Sequence, residues 1–511
     1  MRTSKTILKN TFWNWTAIFI SFLVTMILAP YILEHLGKER YGIYRIVYSV
    51  VQYLTLMEVG VRAAVNRFAS KHIYDRDVSS LNKLISTATF LCLLIGILAL
   101  IITLILGVFA IDFFDISPSF QLQTRYLFVA LGINMVLMFL GFSWGGVLVG
   151  NHRFDLFNGN IIIPAIVRAL LIFVFFSCGW ISLISFALAL VLAQLTAVIF
   201  MVCASFYVEP ALRIGLKYFS FDALKELWGF GLWNMLIQIS GLLMISGNVV
   251  IIGKVLGPGA VPFYWLPYMI IRHLQQIVSG LSKTLVPWAS STLSSGNKKL
   301  LQILALNGTT VNSMIVFPIG CVLLVMCRSF FGVWVGEEYM SSWVVYAILA
   351  VGFLISTSQS STRFILLGGG DIRGMAIVDA IGSLAAILLS IVLVTYTELG
   401  VVGAAIGLAV PQLFRRGLYL PITITKQLEM NLKTYLWQSY SKPVLCTIPS
   451  VILGYILVTF LPPSNLIFWL MEYTLALIPF GILALSGVME WPLRREIIGR
   501  LRGLVFAGKI R

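Results

Sequence analysis

Apolar runs of about twenty residues recur along nearly the whole chain, and they restrict its possible folds more than any other feature. A helix of about 20 apolar residues spans the hydrocarbon core of a bilayer, where only helices and closed barrels satisfy their backbone hydrogen bonds. A window of about 19 residues predicts fourteen spans, at 12–33, 43–61, 84–111, 126–149, 157–178, 181–206, 227–256, 263–286, 303–327, 343–367, 375–396, 401–424, 443–461 and 468–489. We therefore expect an all-α polytopic membrane protein with about 14 transmembrane helices.

Composition excludes the main alternatives to membrane insertion. The 511 residues are 59% hydrophobic and 11% charged, with a mean hydropathy of +0.95, whereas soluble domains are about 25% charged. Too few charges remain to cover a water-facing surface, so a soluble enzyme, a disordered scaffold and a secreted disulfide domain are poor interpretations. The six cysteines lie within or beside apolar runs, and the four histidines are scattered. No disulfide framework, metal site or cofactor is therefore expected.

The distribution of basic residues predicts the topology. An even number of spans places both termini on one side of the membrane. With the N-terminus inside, 26 Lys and Arg residues, among them Arg415 and Arg416, are assigned to cytoplasmic segments and four to outside segments. Basic residues accumulate on the cytoplasmic side, so we expect both termini in the cytoplasm and the run at 12–33 to be a first span rather than a cleaved signal. The same bias accounts for most of the net charge of +16, and no nucleic-acid partner is expected.

An internal repeat divides the chain into two halves. A shift of 220 residues aligns them without a gap for nearly sixty positions, placing Trp13-Asn14 on Trp233-Asn234 and Leu36-Gly37 on Leu256-Gly257. Such halves have parallel topology and are related by an axis along the membrane normal. The repeat predicts two pseudo-symmetric six-helix lobes and a C-terminal helix pair. The expected segments are a lobe at 1–206, a linker at 207–226, a lobe at 227–424, a linker at 425–442, and two further helices with a basic tail at 443–511.

The first eighty residues carry a resemblance to a known family. The matching segments are Lys9–Trp13, Pro30–Leu33, Leu36-Gly37, Tyr41–Tyr44 and Glu58–Val61, followed by Arg62 and Arg67. They resemble the start of the Wzx-type polysaccharide flippases of the multidrug/oligosaccharidyl-lipid/polysaccharide (MOP) exporter superfamily, which includes the MATE transporters. The resemblance is strongest over residues 9–80, and beyond them it depends on the architecture.

The resemblance implies a function, a location and partners. Such proteins move polyprenyl-diphosphate-linked oligosaccharides across the bacterial or archaeal cytoplasmic membrane by alternating access, and they are not enzymes. The implied partners are the lipid-linked glycan, membrane lipids, and the polysaccharide polymerase and glycosyltransferases of the same pathway. In the related lipid II flippase, the last two helices line a groove for the lipid tail.

Arginines near the middle of spans are the candidate substrate-binding residues. A diphosphate must cross about 30 Å of hydrocarbon, and arginine binds phosphate oxygens in pairs while staying charged. A mid-span arginine costs at least about 2.5–3.5 kcal/mol on insertion scales, so it needs a function or a partner. We expect Arg168 and Arg272 to line a cationic cavity between the two lobes, with Arg45 nearer its outer end. The alternatives are hydrogen bonding to neighbouring helices and, for Arg45, extension to the membrane interface.

The other polar residues within spans permit two interpretations each. Asn14 and Asn234 occupy equivalent positions in the two halves and are expected either to line the cavity or to pack helices. Glu58 and Asp379 are candidates for coupling to a cation or proton. Alternatively, Glu58 forms an ion pair with Arg62 at helical spacing and Asp379 lies at the surface. Arg363, near the end of a span, is expected to extend to the interface.

Three other functional classes remain open. A drug/cation antiporter of the same superfamily would have twelve spans and acidic sites in the N-terminal lobe. A membrane glycosyltransferase or polysaccharide polymerase would need a large outer loop or paired carboxylates near a membrane face. The longest predicted outer loop, at 328–342, offers only the adjacent Glu337 and Glu338. A purely structural subunit would lack a cationic cavity.

Overall fold

The described part of the chain is built from helices. The computed structural model describes residues 2–228, 232–283, 285, 289, 290, 292, 297–369 and 371–486, and it describes their side chains except at positions 2–11, 59, 226–228, 232 and 234. Within these residues there is no strand, and eleven helices are long and apolar enough to cross a membrane. The predicted fold class, an all-α polytopic membrane protein, is confirmed. The count of fourteen spans stays a prediction, because one candidate, Phe12–Glu58, covers two predicted spans and two predicted spans are not among the eleven.

The contacts divide the chain into two compact units. The first contains Met1–Pro262 with Val394–Val401, and the second contains Phe263–Leu393 with Val402–Arg511. The helix Leu232–Val255 belongs to the first unit because it packs against the first helix, although the sequence repeat assigns it to the second half. The units are defined by contacts and the lobes by sequence equivalence, so the predicted lobe boundaries stay a prediction.

The first unit contains nine helices within the described residues. They are α1 (Arg2–Gln52), α2 (Val59–Tyr74), α3 (Val78–Phe113), α4 (Pro118–Gly150), α5 (Phe154–Phe157), α6 (Gly159–Ser177), α7 (Leu183–Val208), α8 (Phe221–Trp228) and α9 (Leu232–Val255), with a 3-10 segment at Tyr53–Glu58. Polar side chains fix several helix starts: Asp77 accepts a hydrogen bond from the Ser80 backbone at 2.9 Å, and Ser182 caps α7 in the same way. These caps satisfy backbone N–H groups that a helix start leaves without partners.

Glycines interrupt the helices at equivalent positions of the two sequence halves. Gly37 in α1 has φ 77° and ψ 167°, and Gly257, after α9, has φ 84° and ψ 166°. Only glycine adopts this combination without strain. A kink at Gly37 therefore separates the first two predicted spans within one continuous helix. Close packing follows the kink, because a Cβ atom on Gly42 would collide with the Pro258 carbonyl.

The second unit begins within α10 (Val261–Ser282). It continues with α11 (Lys298–Val335), α12 (Ser342–Ser358), α13 (Ser360–Gly368), α14 (Ile372–Tyr396), α15 (Gly400–Gln412), α16 (Leu420–Gln427), α17 (Leu432–Phe460) and α18 (Leu466–Ser486). A π-helical segment, Leu413–Tyr419, joins α15 to α16 without a break. Such segments frequently mark functional sites.

Candidate functional site

Arg45 lies within a group of aromatic side chains on α1. Its guanidinium carbon is 5.5 Å from the centre of the Tyr44 ring and 5.1 Å from that of Tyr48, and it hydrogen-bonds the Tyr44 side chain. Cation–π contacts at these distances are attractive and hold the guanidinium in place. Arg45 is 6% exposed, so the alternative that it extends to the membrane interface is wrong. The nearby tyrosine rings provide its partners instead.

Arg168, on α6, is near enough for its charge to act on the same tyrosine. It is half-buried, and its charge, like that of Arg45, acts on the Tyr44 hydroxyl. The Nε of Arg168 is buried and makes no hydrogen bond with any described residue. The charges of two of the three predicted arginines therefore act on one tyrosine, and Arg168 retains a hydrogen-bond donor without a described partner.

Arg272 lies in the second unit, one turn after Tyr268 on α10. It is half-buried, and its charge acts on the Tyr268 hydroxyl. Tyr264 and Tyr268 stack with ring centres 5.8 Å apart. The shift of 220 residues pairs Tyr44 with Tyr264 and Tyr48 with Tyr268. Each half of the sequence thus carries two tyrosines one helical turn apart with an arginine beside them.

Asn14 connects helices. The Nδ2 of Asn158, at the start of α6, donates a hydrogen bond to Asn14 Oδ1 at 2.7 Å. This contact joins α1 to α6 and supports the packing interpretation of Asn14. The side chain of Asn234, its predicted equivalent, lies outside the described residues.

Glu58 is buried where the second predicted span is broken. It ends the 3-10 segment, is 4% exposed, and its Oε1 has no hydrogen-bond partner among the described residues. The charge of Arg62 acts on Glu58, but these two described side chains form no direct ion pair, and the guanidinium of Arg62 lies 4.5 Å from the Phe142 ring centre. A buried carboxyl group at a helix break is typical of coupling sites in transporters.

Asp379 is a buried ion-pair partner. Its Oδ2 lies 2.8 Å from Arg363 Nη2 and its Oδ1 lies 2.6 Å from Arg415 Nη1. The alternative of a surface position for Asp379 and the expectation that Arg363 reaches the interface are both wrong, because these side chains meet inside the second unit. Arg415, whose assignment to a cytoplasmic segment stays a prediction, lies in the π-helical segment and is 6% exposed.

A buried serine-rich segment lies beside these charges. Its eight residues, Ser356–Arg363, are all polar and, apart from Arg363, fully buried, and they cross the junction of α12 and α13. Asn312 donates hydrogen bonds to the Ser358 carbonyl at 3.1 Å and to Ser361 Oγ at 2.9 Å. The sequence-based prediction relied mainly on charged residues and did not include this segment in the site. The available signal was an uninterrupted polar run inside the predicted span at 343–367.

A large apolar groove opens along α17. It has a volume of about 1130 Å³, and its wall includes Phe317, Ile355, Gly417, Trp437, Tyr440 and Val444, with Lys433 at its border. Tyr440 connects the groove to the serine-rich segment, because its hydroxyl lies 2.8 Å from Ser358 Oγ and accepts a hydrogen bond from Gln359 Nε2 at 2.7 Å. The groove thus has an apolar wall and a hydrogen-bonded polar edge.

Comparisons with known proteins identify relatives that match most of the chain. The family model described as "Polysaccharide biosynthesis protein" matches residues 7–293. A "Putative O-antigen transporter" of Shigella flexneri is 24% identical over 68% of this chain and 82% of its own length. The "Uncharacterized membrane protein EpsK" of Bacillus subtilis (strain 168) is 22% identical over 81% of this chain and 82% of its own length.

Solved structures show the same fold. A MATE family multidrug transporter of the MOP superfamily, in an inward-facing conformation, has a TM-score of 0.70 at 14% identity, covering 82% of this chain and 96% of its own. The lipid II flippase MurJ, in an inward closed conformation, also has a TM-score of 0.70, at 12% identity, covering 96% of this chain and 100% of its own. These comparisons confirm the predicted relationship to polysaccharide biosynthesis proteins and the predicted fold. The chain belongs to the polysaccharide biosynthesis protein family, and it is a multi-pass membrane protein with the fold of the MOP exporters.

Proposed function

We propose that this protein is a flippase that moves polyprenyl-diphosphate-linked oligosaccharides across the cytoplasmic membrane for the synthesis of cell-surface polysaccharide. The convergence of Arg45 and Arg168 on Tyr44, in a chain of the polysaccharide biosynthesis family, is the observation that carries this proposal. We further propose that transport occurs by alternating access with both termini in the cytoplasm.

The two arginines suit the diphosphate of such a substrate. Cation–π contacts already orient the Arg45 guanidinium, so little conformational freedom is lost when it binds an anion. Arg168 contributes the unused Nε donor, and paired hydrogen bonds from guanidinium to phosphate are stronger than neutral ones. Both charges act in surroundings of lower dielectric than water, which strengthens their attraction to a phosphate. Arg272, beside the equivalent tyrosines, is proposed to provide a further cationic contact.

The apolar groove along α17 suits the polyprenyl tail. A flippase must transfer the polar head group while the tail remains in an apolar environment. The groove offers aliphatic and aromatic side chains such as Ile355, Val444 and Trp437, and burial of apolar chain there is favourable by about 25 cal/mol per Å². We propose that the tail lies in this groove during transport.

Glu58 is the better of the two candidates for coupling. Both carboxylate oxygens of Asp379 are held by guanidinium groups, so a cation would have to displace two ion pairs. Glu58 has a buried oxygen without a hydrogen-bond partner among the described residues, and a proton or small cation would satisfy it. We propose that Glu58 binds the ion whose gradient drives transport.

The experiment is complementation of a flippase-deficient strain with Arg168→Ala and Arg45→Ala, while membrane abundance is measured alongside. Each variant should insert normally, abolish surface polysaccharide and accumulate the lipid-linked precursor. Arg125, exposed on α4, provides the matched control, and Arg125→Ala should retain activity. Full activity of both variants at normal abundance would contradict the proposal. A protein that changes drug tolerance without changing precursor levels would favour the drug/cation antiporter instead.

A further inference from the structure

The second unit contains an arginine cluster with more positive than negative charge. We define the cluster as Arg363, Arg415 and Arg416 together with Asp379. Arg363 and Arg415 share the carboxylate of Asp379, and the side chains of both arginines are largely buried, at 16% and 6% exposure. Arg416 is close enough for its charge to interact with all three other members. Two guanidinium groups therefore contact a single carboxylate, and the charge of a third acts on it.

Arg416 is the member whose charge is left without a direct partner. It forms no ion pair or hydrogen bond with any described residue, and its Nε is buried. Asp379 is the one carboxylate among the described residues whose charge acts on it. Arg416 is half-buried, so its charge is partly removed from water without a direct counter-ion among the described residues, and charged residues in membrane-embedded helices usually mark a functional site. The cluster thus has the electrostatics of an anion site.

The cluster is linked to the apolar groove by contacts and by sequence. Gly417, which follows Arg416, lines the groove. Arg415 hydrogen-bonds Gln412 Oε1, and Gln412 Nε2 donates to Ser356 Oγ at 2.6 Å. Ser356 begins the serine-rich segment, whose Ser358 meets Tyr440 at the groove. A polar, cationic region therefore adjoins an apolar groove within the same unit.

We infer that the arginine cluster binds the phosphate group of a lipid whose tail lies in the groove, and that Asp379 is an internal counter-ion which the phosphate replaces. A guanidinium group donates hydrogen bonds to carboxylate and to phosphate oxygens in the same way. Replacement of Asp379 by a phosphate therefore requires no new type of contact. Arg416, without a direct partner, would be the first to contact the incoming anion. This inference rests on the proposed function, which identifies the lipid as the polyprenyl diphosphate carrier. It adds a second phosphate site, separate from Arg45 and Arg168.

The test measures binding of polyprenyl diphosphate to the purified full chain in lipid nanodiscs. Arg416→Gln removes the charge from a side chain without described partners, so the variant should fold. Its affinity should fall by about tenfold or more, as expected for the loss of a charge-assisted hydrogen bond. Lys426→Gln makes the same charge change at an exposed position ten residues further on and should leave affinity unchanged. Asp379→Asn removes the competing carboxylate and should increase affinity, the opposite sign to Arg416→Gln.

The outcomes separate this inference from the proposed function. If Arg168→Gln weakens binding while Arg416→Gln and Asp379→Asn leave it unchanged, the second site is refuted and the proposed function stands. If the unaltered chain binds polyprenyl diphosphate no better than the uncharged polyprenol, the proposed function fails as well. Phosphatidylglycerol supplied as competitor shows whether the cluster binds the polyprenyl diphosphate carrier or the phosphate of an ordinary membrane phospholipid. Weak competition supports the carrier, and competition as strong as that of polyprenyl diphosphate overturns the assignment to it.

Discussion

Arg415 and Asp379 form a buried ion pair between two helices, with Nη1 2.6 Å from Oδ1. Asp379 lies on α14 and Arg415 in the π-helical segment that follows α15, so the pair fixes these helices to each other. Since each side chain is at most 6% exposed, neither charge is well solvated if its partner is removed. The pair therefore matters more for stability than a surface ion pair would.

Removal of Asp379 should destabilise the second unit. Asp379→Ala leaves Arg363 and Arg415 buried without their counter-ion, and the loss of one partner of such a pair costs about 3–5 kcal/mol. Thermal unfolding in detergent should show the loss. The double variant Asp379→Ala with Arg415→Met should lose less than the sum of the single variants, because the unpaired charge is removed as well. Strict additivity would show that the two residues do not interact.

Gly37→Ala and Gly257→Ala should each lower stability through backbone strain. Both positions have positive φ, and a Cβ atom added at either would meet open space. The loss of stability therefore comes from the strained backbone conformation and not from a steric clash. It should lower the free energy of unfolding by about 1–3 kcal/mol per site. Gly241 also has open space around it, but it lies inside α9, so Gly241→Ala should be neutral or stabilising. Equal unfolding temperatures for all three variants would show that alanine causes no backbone strain at Gly37 and Gly257.

Glu58→Gln should uncouple transport from its driving gradient. The amide keeps the shape of the side chain but cannot take up a proton or a cation charge, so a gradient imposed on proteoliposomes should no longer accelerate translocation. Glu34→Gln, at an exposed position of α1, is the matched control and should respond to the gradient normally. If Glu58→Gln retains the full gradient response, Glu58 is not the coupling site.

The start of α3 should weaken at low pH. Hydrogen bonds from Ser80 hold the pKa of Asp77 below its usual value, because they favour the charged carboxylate. The stabilisation is fully present above the usual aspartate pKa of about 3.9 and is lost as pH falls through the lower folded value. The protection factor of the Ser80 amide, which compares its exchange rate with that of an unfolded chain at the same pH, should fall in that range. In Asp77→Ala the protection factor should be low at every pH, and a pH response that survives this substitution would assign the effect to another group.

The fold was largely predictable because a bilayer permits few backbone arrangements. Long apolar runs such as Val78–Phe113 have no stable alternative to a helix in hydrocarbon. The repeated Leu-Gly pair marked Gly37 and Gly257 as equivalent positions. The 3-10 segment before Glu58 was not predictable, because its residues have the same apolar character as the helix that precedes them.

The charged part of the site was only partly predictable. Mid-span position alone singled out Arg168 and Arg272 as candidates, since isolated charges in apolar runs are conspicuous. Arg363 and Asp379 were misinterpreted because each is near a span end in sequence, and their pairing with Arg415 depends on how three helices pack. The contact between Asp379 and Arg415 joins residues 36 positions apart, and local hydropathy does not encode such tertiary contacts.

The central claim is tested most directly by translocation in proteoliposomes. The substrate is a polyprenyl-diphosphate-linked oligosaccharide, and its appearance in the opposite leaflet is measured by accessibility to a sugar-modifying enzyme. The unaltered chain should translocate it, Arg168→Ala should slow the rate by about tenfold or more, and Arg168→Lys should retain part of the activity because the charge survives while paired hydrogen bonding is lost. Arg125→Ala should match the unaltered chain. Equal rates for Arg168→Ala and the unaltered chain, or translocation no faster than in protein-free vesicles, would contradict the account.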